Sequence, residues 1–365
     1  MQAKYILKQE TLQKALIEKG LDAFVAINDE TSNWQAIAHQ TGFCGTCGLY
    51  FLQKDKKADI FFDNRYLEKA KKEITTCNVQ PFEDNFAEVI AKTAKGYGAK
   101  TIACQASETS ATNWLAVEKE LQKVGITLTP FDNEYQEICS VKTEAEIARI
   151  KAAAELATES FFKTLEAVKE GMTEASFAAH LEYEMAIRGA TPAFGTIVAS
   201  GVHSSMPHAG VTKKEIKRGE IVTVDFGARL DNYVCDITRN FVIGQATEEQ
   251  KTLHNLIKKA HITAATALKQ NASGTAIHNI ACDVFGEKKK FFTHSLGHGI
   301  GLYIHESPRL SYRKDYTLKA GQIVTVEPGL YFEEKFGMRL EDDYLIHEDH
   351  GERLTMSMPQ ELFEI

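Results

Sequence analysis

The stretch "KRGEIVTVDFG", residues 217–227, returns as "KAGQIVTVEPG", residues 319–329, with seven of eleven positions identical. Each copy reads as a turn, a β-branched strand and a glycine after an acid, Asp225 in the first and Glu327 in the second. A strand turns successive side chains to opposite faces, so Ile221, Thr223 and Asp225 share one face while Val222 and Val224 share the other. Ile323, Thr325 and Glu327 repeat the pattern. Chance is a poor explanation for a strand that recurs with its acid in place.

Each copy is followed by another strand bearing a second acid: Asp236 in "YVCDITRNF" and Glu341 in "GMRLEDDYLI". Four ionised carboxylates in a core would repel one another and carry a large desolvation cost, so they must be protonated, paired or bound to cations. A lone hairpin pair of aspartates would read as surface charge; the repetition favours metal ions. An oxygen-rich set with one imidazole suits Mn2+, Co2+ or Fe2+ better than a thiolate-type zinc centre does. The imidazole is expected between the copies, in "FFTHSLGHGIGLYIHESPRL", where His294, His298 and His305 sit within twelve residues among glycines that allow tight bends. His208, in "VASGVHSSMPHAG", follows another strand and turn; taken alone it reads as a surface histidine as readily as a site residue.

Length and composition frame this reading. A chain of 365 residues, 44% hydrophobic and 25% charged, predicts a soluble protein of two domains without extended disorder. The net charge of -8 argues against nucleic acid as a partner, and Lys288 to Lys290 read as a solvated helix end. The first residues, "MQAKYILKQETLQKALIEKG", lack the apolar core of a signal peptide, and no window reaches the roughly 18 apolar residues of a membrane span. A cytoplasmic protein with no membrane partner is expected. Seven cysteines, an odd number spread along the chain, do not form a disulfide framework. Cys44 and Cys47 make a Cys-x-x-Cys, but "GLYFL" after it looks like a strand rather than the helix a redox motif opens, so small residues in a glycine turn are the favoured reading.

Up to about residue 140, helix and strand signals alternate. "DAFVAI" and "ADIFFD" predict strands, "NRYLEKAKKEI" and "TNWLAVEKELQKVG" amphipathic helices, and the whole a small α/β domain spanning 1–140. Thr143 and Glu146 then form a capping box opening a helix that is stopped at Gly171, and Thr173 caps a second helix ended by Gly189. A second domain is placed at 141–365.

These residues carry a resemblance. "DFGARLDNYVCDITR", "HSLGHGIGLYIHE", "VTVEPGLY" and "RLEDDYLI" resemble, in order and spacing, the motifs of the pita-bread metallopeptidases. "TGFCGTCGLYFL" and "FFDNRYLEKA" are similar to the creatinase-type N-terminal domain of the proline-directed members. The resemblance implies an α/β N-terminal domain before an α+β pita-bread domain with a pseudo-twofold internal repeat. It implies two divalent ions, Mn2+ foremost with Co2+, Fe2+ or Zn2+ as alternatives, on Asp225, Asp236, His298, Glu327 and Glu341, with Asp236 and Glu341 bridging. It further implies Glu327 as general base and His208, His294 and His305 as contacts to substrate or tetrahedral intermediate. Arg339 is expected to orient a ligand carboxylate and counts, with Arg309, among the substrate-binding groups. Asn232 and Cys235 stand where the family has glycine and serine.

The implied activity is an aminopeptidase that hydrolyses the N-terminal Xaa-Pro bond through a hydroxide bridging two metals, on peptides with proline second. The alternatives are a prolidase cutting Xaa-Pro dipeptides, for which Arg309 would bind the C-terminal carboxylate, and a non-catalytic peptide-binding module. The presence of all five ligand positions speaks against the last. A homodimer is expected.

Overall fold

"DAFVAI" shows no polar alternation because its strand, Ala23–Asp29, is covered on both faces. Ala23, Val25 and Ile27 pack with Leu49, Phe51 and Leu121 on one side, and Phe24 and Ala26 pack with Tyr50, Leu52 and Phe131 on the other. Doubly covered strands read as continuous apolar runs. The strand lies inside a six-stranded mixed sheet ordered Asn78–Pro81, Asp59–Phe62, Cys47–Gln53, Ala23–Asp29, Thr101–Cys104, Thr127–Pro130. It runs antiparallel to Cys47–Gln53 and parallel to Thr101–Cys104. The computed structural model describes residues 3–30, 34–82 and 85–365, which divide into two compact units, Met1–Cys139 and Ser140–Ile365.

The helix Ala111–Lys123 begins at Ser110, whose side chain accepts from Asn113 N, and is followed by Gly125 at φ 74°. Cys47 opens a strand rather than a helix, and burial pushes its thiol up to about 11, the reverse of a redox nucleophile.

In the second unit the repeat extends beyond the strands. Thr143 and Glu146 form the capping box of Glu144–Glu166, and Thr247 with Gln250 does the same for Glu248–Ala265. Thr173 then caps Glu174–Ile187, and Ser273 caps Gly274–Phe285. Each helix pair covers one sheet. The first sheet is ordered Phe363–Glu364, Ile237–Val242, Ile221–Phe226, Ile197–Ser200; the second Glu306–Leu310, Gly297–Gly299, Ile323–Val326, Asp342–Ile346, Gly351–Arg353. Val222 and Val224 pack with Phe161, Phe177 and Leu181, while Val324 and Val326 pack with Leu253, Ile257 and Ile277. The valines of both copies therefore face helices, which turns the Thr and acid positions away from them. The halves meet at a bridge between Thr238 and Glu341. This is an α+β pita-bread arrangement. Among the described residues no helix is long and apolar enough to cross a membrane.

His261, wholly buried in the second half, has its pKa held down to about 4 by burial, which the Asp342 carboxylate 3.4 Å away only partly offsets. The unfolded chain takes up this proton near pH 6.5 and the folded one refuses it, so stability is lost as pH falls from about 6.5 toward 4. The imidazole accounts for about 3 kcal/mol of that loss. His261→Leu is expected to lose less stability between about pH 7 and about pH 4.5 in urea unfolding. Equal losses in variant and parent would refute the assignment.

Candidate metal centre

The acids stand where strand regularity fails. Asp225 lies near the end of Ile221–Phe226, but Asp236, expected within a strand, sits in the gap between Tyr233–Val234 and Ile237–Val242. Its N–H donates to the Asp343 carboxylate at 3.0 Å instead of to a strand carbonyl. Gly227 allows this close crossing, since a methyl group there would lie 2.0 Å from Cys235 O. At the hairpin tip Asp231 and Asn232 both have positive φ, 48° and 76°, as a two-residue loop requires, so Asn232 fills the glycine's place. Cys235 is buried, its sulfur accepting from Ala228 N at 3.3 Å. Glu327 lies one residue past Ile323–Val326, donating its N–H to Leu296 O at 2.8 Å, and Pro328 after it has no N–H to continue a ladder. Glu341 stands at the isolated bridge to Thr238. The period-two argument finds the right faces, and the kinks decide the reach of each acid.

Together these departures gather one cluster. Ligand atoms of Asp236, His298 and Glu341, all buried, lie within 4.8 Å of one another. His298 Nε2 is 3.6 Å from Asp236 Oδ2 and 3.3 Å from Glu327 Oε1. His298 Nδ1 is 3.1 Å from Gly299 O; a carbonyl only accepts, so Nδ1 carries the proton and Nε2 turns a lone pair toward the acids. Arg339 Nη2 donates to Asp225 Oδ2 at 2.6 Å and Nε to Thr238 Oγ1 at 3.0 Å, and that hydroxyl donates to Glu341 Oε2 at 2.6 Å.

Burial and like charge dominate the electrostatics. Asp236 and Glu341 are held well above the usual carboxylate range, by burial first and by neighbouring acids next. Burial pushes Glu327 up to about 8, with Arg339 opposing and Asp225 adding to the shift. Burial, helped by the charge of His305, pushes His298 down to about 3, so the imidazole is neutral. Asp225 Oδ1 and Asp236 Oδ1 are buried without a hydrogen-bond partner. Unsatisfied carboxylate oxygens beside the lone pair of a neutral imidazole form a donor set that a cation would complete. The residues fit divalent metal ions.

The remaining candidates surround this cluster. His305 is exposed, and its ring meets that of His298 edge-on with centroids 4.4 Å apart. His208 is exposed just after the turn Gly201–Ser205, close enough for its charge to depress both His294 and His305. His294 Nδ1 donates to Ser295 O at 2.8 Å and lies 3.8 Å from Glu327, while Nε2 is 3.0 Å from the Tyr331 hydroxyl. Arg309, exposed, pairs directly across from His298. Arg339 is buried, and its donors go to Asp225, Thr238, Tyr331 and Pro207 O.

Sequence reasoning missed four supports: Thr238, Tyr331, Asp343 and the fully buried ion pair of Arg239 with Asp342, 2.5 Å between Nη2 and Oδ1. Arg239 Nη1 donates to both Thr238 O and Glu341 O, tying the halves together behind the cluster. The available signal was "LEDDYLI", three successive acids entering an apolar strand.

A family model for metallopeptidase family M24 matches residues 148–348, and one for the creatinase/prolidase N-terminal domain matches residues 8–139. An uncharacterized peptidase of Bacillus subtilis is 32% identical over 98% of this chain and 99% of its own length. Among solved structures, an X-Pro aminopeptidase from Thermotoga maritima is 35% identical with a TM-score of 0.90, covering 97% of this chain and 100% of its own. An Xaa-Pro dipeptidase from Bacillus anthracis is 30% identical with a TM-score of 0.92, covering 99% and 100%.

Proposed function

The chain belongs to metallopeptidase family M24, and on that premise we propose that it is an aminopeptidase releasing the first residue of peptides with proline at the second position. The observation that carries this reading is the buried cluster of acids around the neutral imidazole of His298. Two divalent ions, Mn2+ foremost with Co2+, Fe2+ or Zn2+ as alternatives, would be held by Asp225, Asp236, His298, Glu327 and Glu341. When bound, such ions polarise a carbonyl and make water acidic enough to act as a nucleophile near neutral pH.

The chain's own groups do the rest. Glu327 takes the proton from the attacking water and passes it to the leaving nitrogen. His208 and His305, at the exposed rim, donate to the oxyanion and the peptide, and His294 contributes from beside Glu327. Arg339 is the positioning residue for Asp225. The nitrogen released from an Xaa-Pro bond has no N–H, so the pocket must fit a ring rather than satisfy a donor.

A second reading, a prolidase acting on Xaa-Pro dipeptides, is favoured by Arg309, an exposed cation across the strand from His298 that can meet a C-terminal carboxylate. The experiment adds Mn2+ or Co2+ to chelated protein and follows an Xaa-Pro dipeptide beside an Xaa-Pro-Yaa tripeptide. Cleavage restored by metal, with the tripeptide preferred, is the expected result. Dipeptide cleavage alone would replace it with the prolidase reading, and cleavage of neither would end both. We further place the protein in the cytoplasm, a reducing compartment in keeping with its seven free thiols, and as a homodimer, which sedimentation would test.

A further inference from the structure

Lys142 precedes the first capping box of the catalytic unit, and Glu306 follows His305. Their side chains, 1% and 7% exposed, form an ion pair with Nζ and Oε2 2.5 Å apart. Removing two charges from water is costly, and neither group belongs to the acid cluster. The second oxygen of Glu306 shows what the pair holds: Oε1 accepts from the backbone N–H groups of Leu302 at 2.9 Å and Tyr303 at 3.1 Å. Residues 301–306 thus fold around their own terminal acid. Gly301 leaves room for that wrapping, because a methyl group there would lie 2.5 Å from Glu306 Oε1 and 2.8 Å from Lys142 Cε, so the ion pair would have to shift.

From the other side, Val234 N donates to Gly301 O and Arg229 Nη1 to Leu302 O, both at 3.0 Å. Lys142 is itself fixed through its N–H to Gly321 O at 2.8 Å. The turn so gripped carries His305, whose ring rests edge-on against the ligand candidate His298. A carboxylate is the side chain that can accept two backbone amides from one oxygen while the other is neutralised by an ammonium.

We propose that Lys142 and Glu306 are positioning residues for peptide binding: their buried ion pair holds the 301–306 turn in the shape that presents His305 to a substrate above the acids. The proposal rests on the peptidase reading for its substrate, and its structural half can be tested without turnover. The experiment uses Mn2+-loaded full-length protein and the variants Glu306→Gln, Lys142→Met and Lys142→Arg. In Glu306→Gln and Lys142→Met, KM for an Xaa-Pro-Yaa peptide should rise about tenfold with kcat changed less than about threefold. Mn2+ affinity by calorimetry should stay within about twofold. Lys142→Arg, which keeps the charge, should recover most of the KM. Hydrogen exchange at the Leu302 and Tyr303 amides should be at least about tenfold faster in the first two variants.

Unchanged exchange overturns the proposal. So does faster exchange with an unaltered KM, or kcat and Mn2+ affinity falling together. Should the parent cut no Xaa-Pro peptide, the peptidase reading fails and the exchange measurement still decides the positioning claim; should Lys142→Met not fold, Glu306→Gln and Lys142→Arg carry both measurements.

Discussion

Glu327→Gln is expected to reduce kcat on Xaa-Pro peptides by roughly 10²- to 10⁴-fold, the range lost when a positioned general base is removed. The change is nearly isosteric, so the Glu327 N–H stays on Leu296 O and the amide oxygen can still accept from Thr325 Oγ1, 3.2 Å away from Oε1 in the parent. What disappears is the ability to take and release a proton. Binding of Mn2+ should survive, weakened, because Asp225, Asp236, His298 and Glu341 remain. Kinetics and calorimetry on the same sample separate base from ligand. If kcat stays within about threefold of the parent while metal is bound, Glu327 is not the base.

Metal removal is expected to produce the other large effect, and the buried acids set its pH dependence. In the metal-free chain Asp236, Glu341 and Glu327 have raised pKa values, the last to about 8, so the folded state holds protons that the unfolded chain releases near pH 4.5. The contribution of Glu327 is fully present below about pH 4.5 and is lost as pH rises through about 8, and those of Asp236 and Glu341 run in the same direction. Ligands bind metal deprotonated, so Mn2+ replaces those protons and binds more tightly as pH rises. At a hundredfold excess over Kd the ion should raise Tm by roughly 5–10 °C near pH 8. Near pH 5.5 the gain should be visibly smaller. Calorimetric melting with chelator and with Mn2+ at both pH values checks this. A gain that is flat or shrinks with pH would mean that these carboxylates are not the ligands.

Much of this is legible in the sequence. The duplicated "IVTV" with its acid predicts two halves and the shared face of Thr223 with Asp225 and of Thr325 with Glu327, because strand periodicity is local. The capping box at Thr143 and the stop at Gly189 are equally local, and helices begin and end beside them, but the first helix ends at Glu166, short of the Gly171 at which its stop is expected. The irregularities were not legible. Asp236 leaves its strand because Asp343, from the other half of the domain, takes its N–H, and a contact 107 residues away has no local signature. The sequence leads one to expect Arg339 beside a ligand carboxylate, but which carboxylate it reaches, and that its other donors go to Thr238 and Tyr331, depends on packing.

By itself, then, the sequence determined the element types, the repeat, the family resemblance and the identity of the acids and histidines, since all of these follow from residue type and spacing. The tertiary structure alone decided which oxygens stay unsatisfied, that His298 presents Nε2, and that Lys142 reaches Glu306 to grip the turn before His305. The reason is physical: a side chain's charge state and direction depend on burial and on partners brought in from distant chain, and those exist only once the two halves have closed on each other.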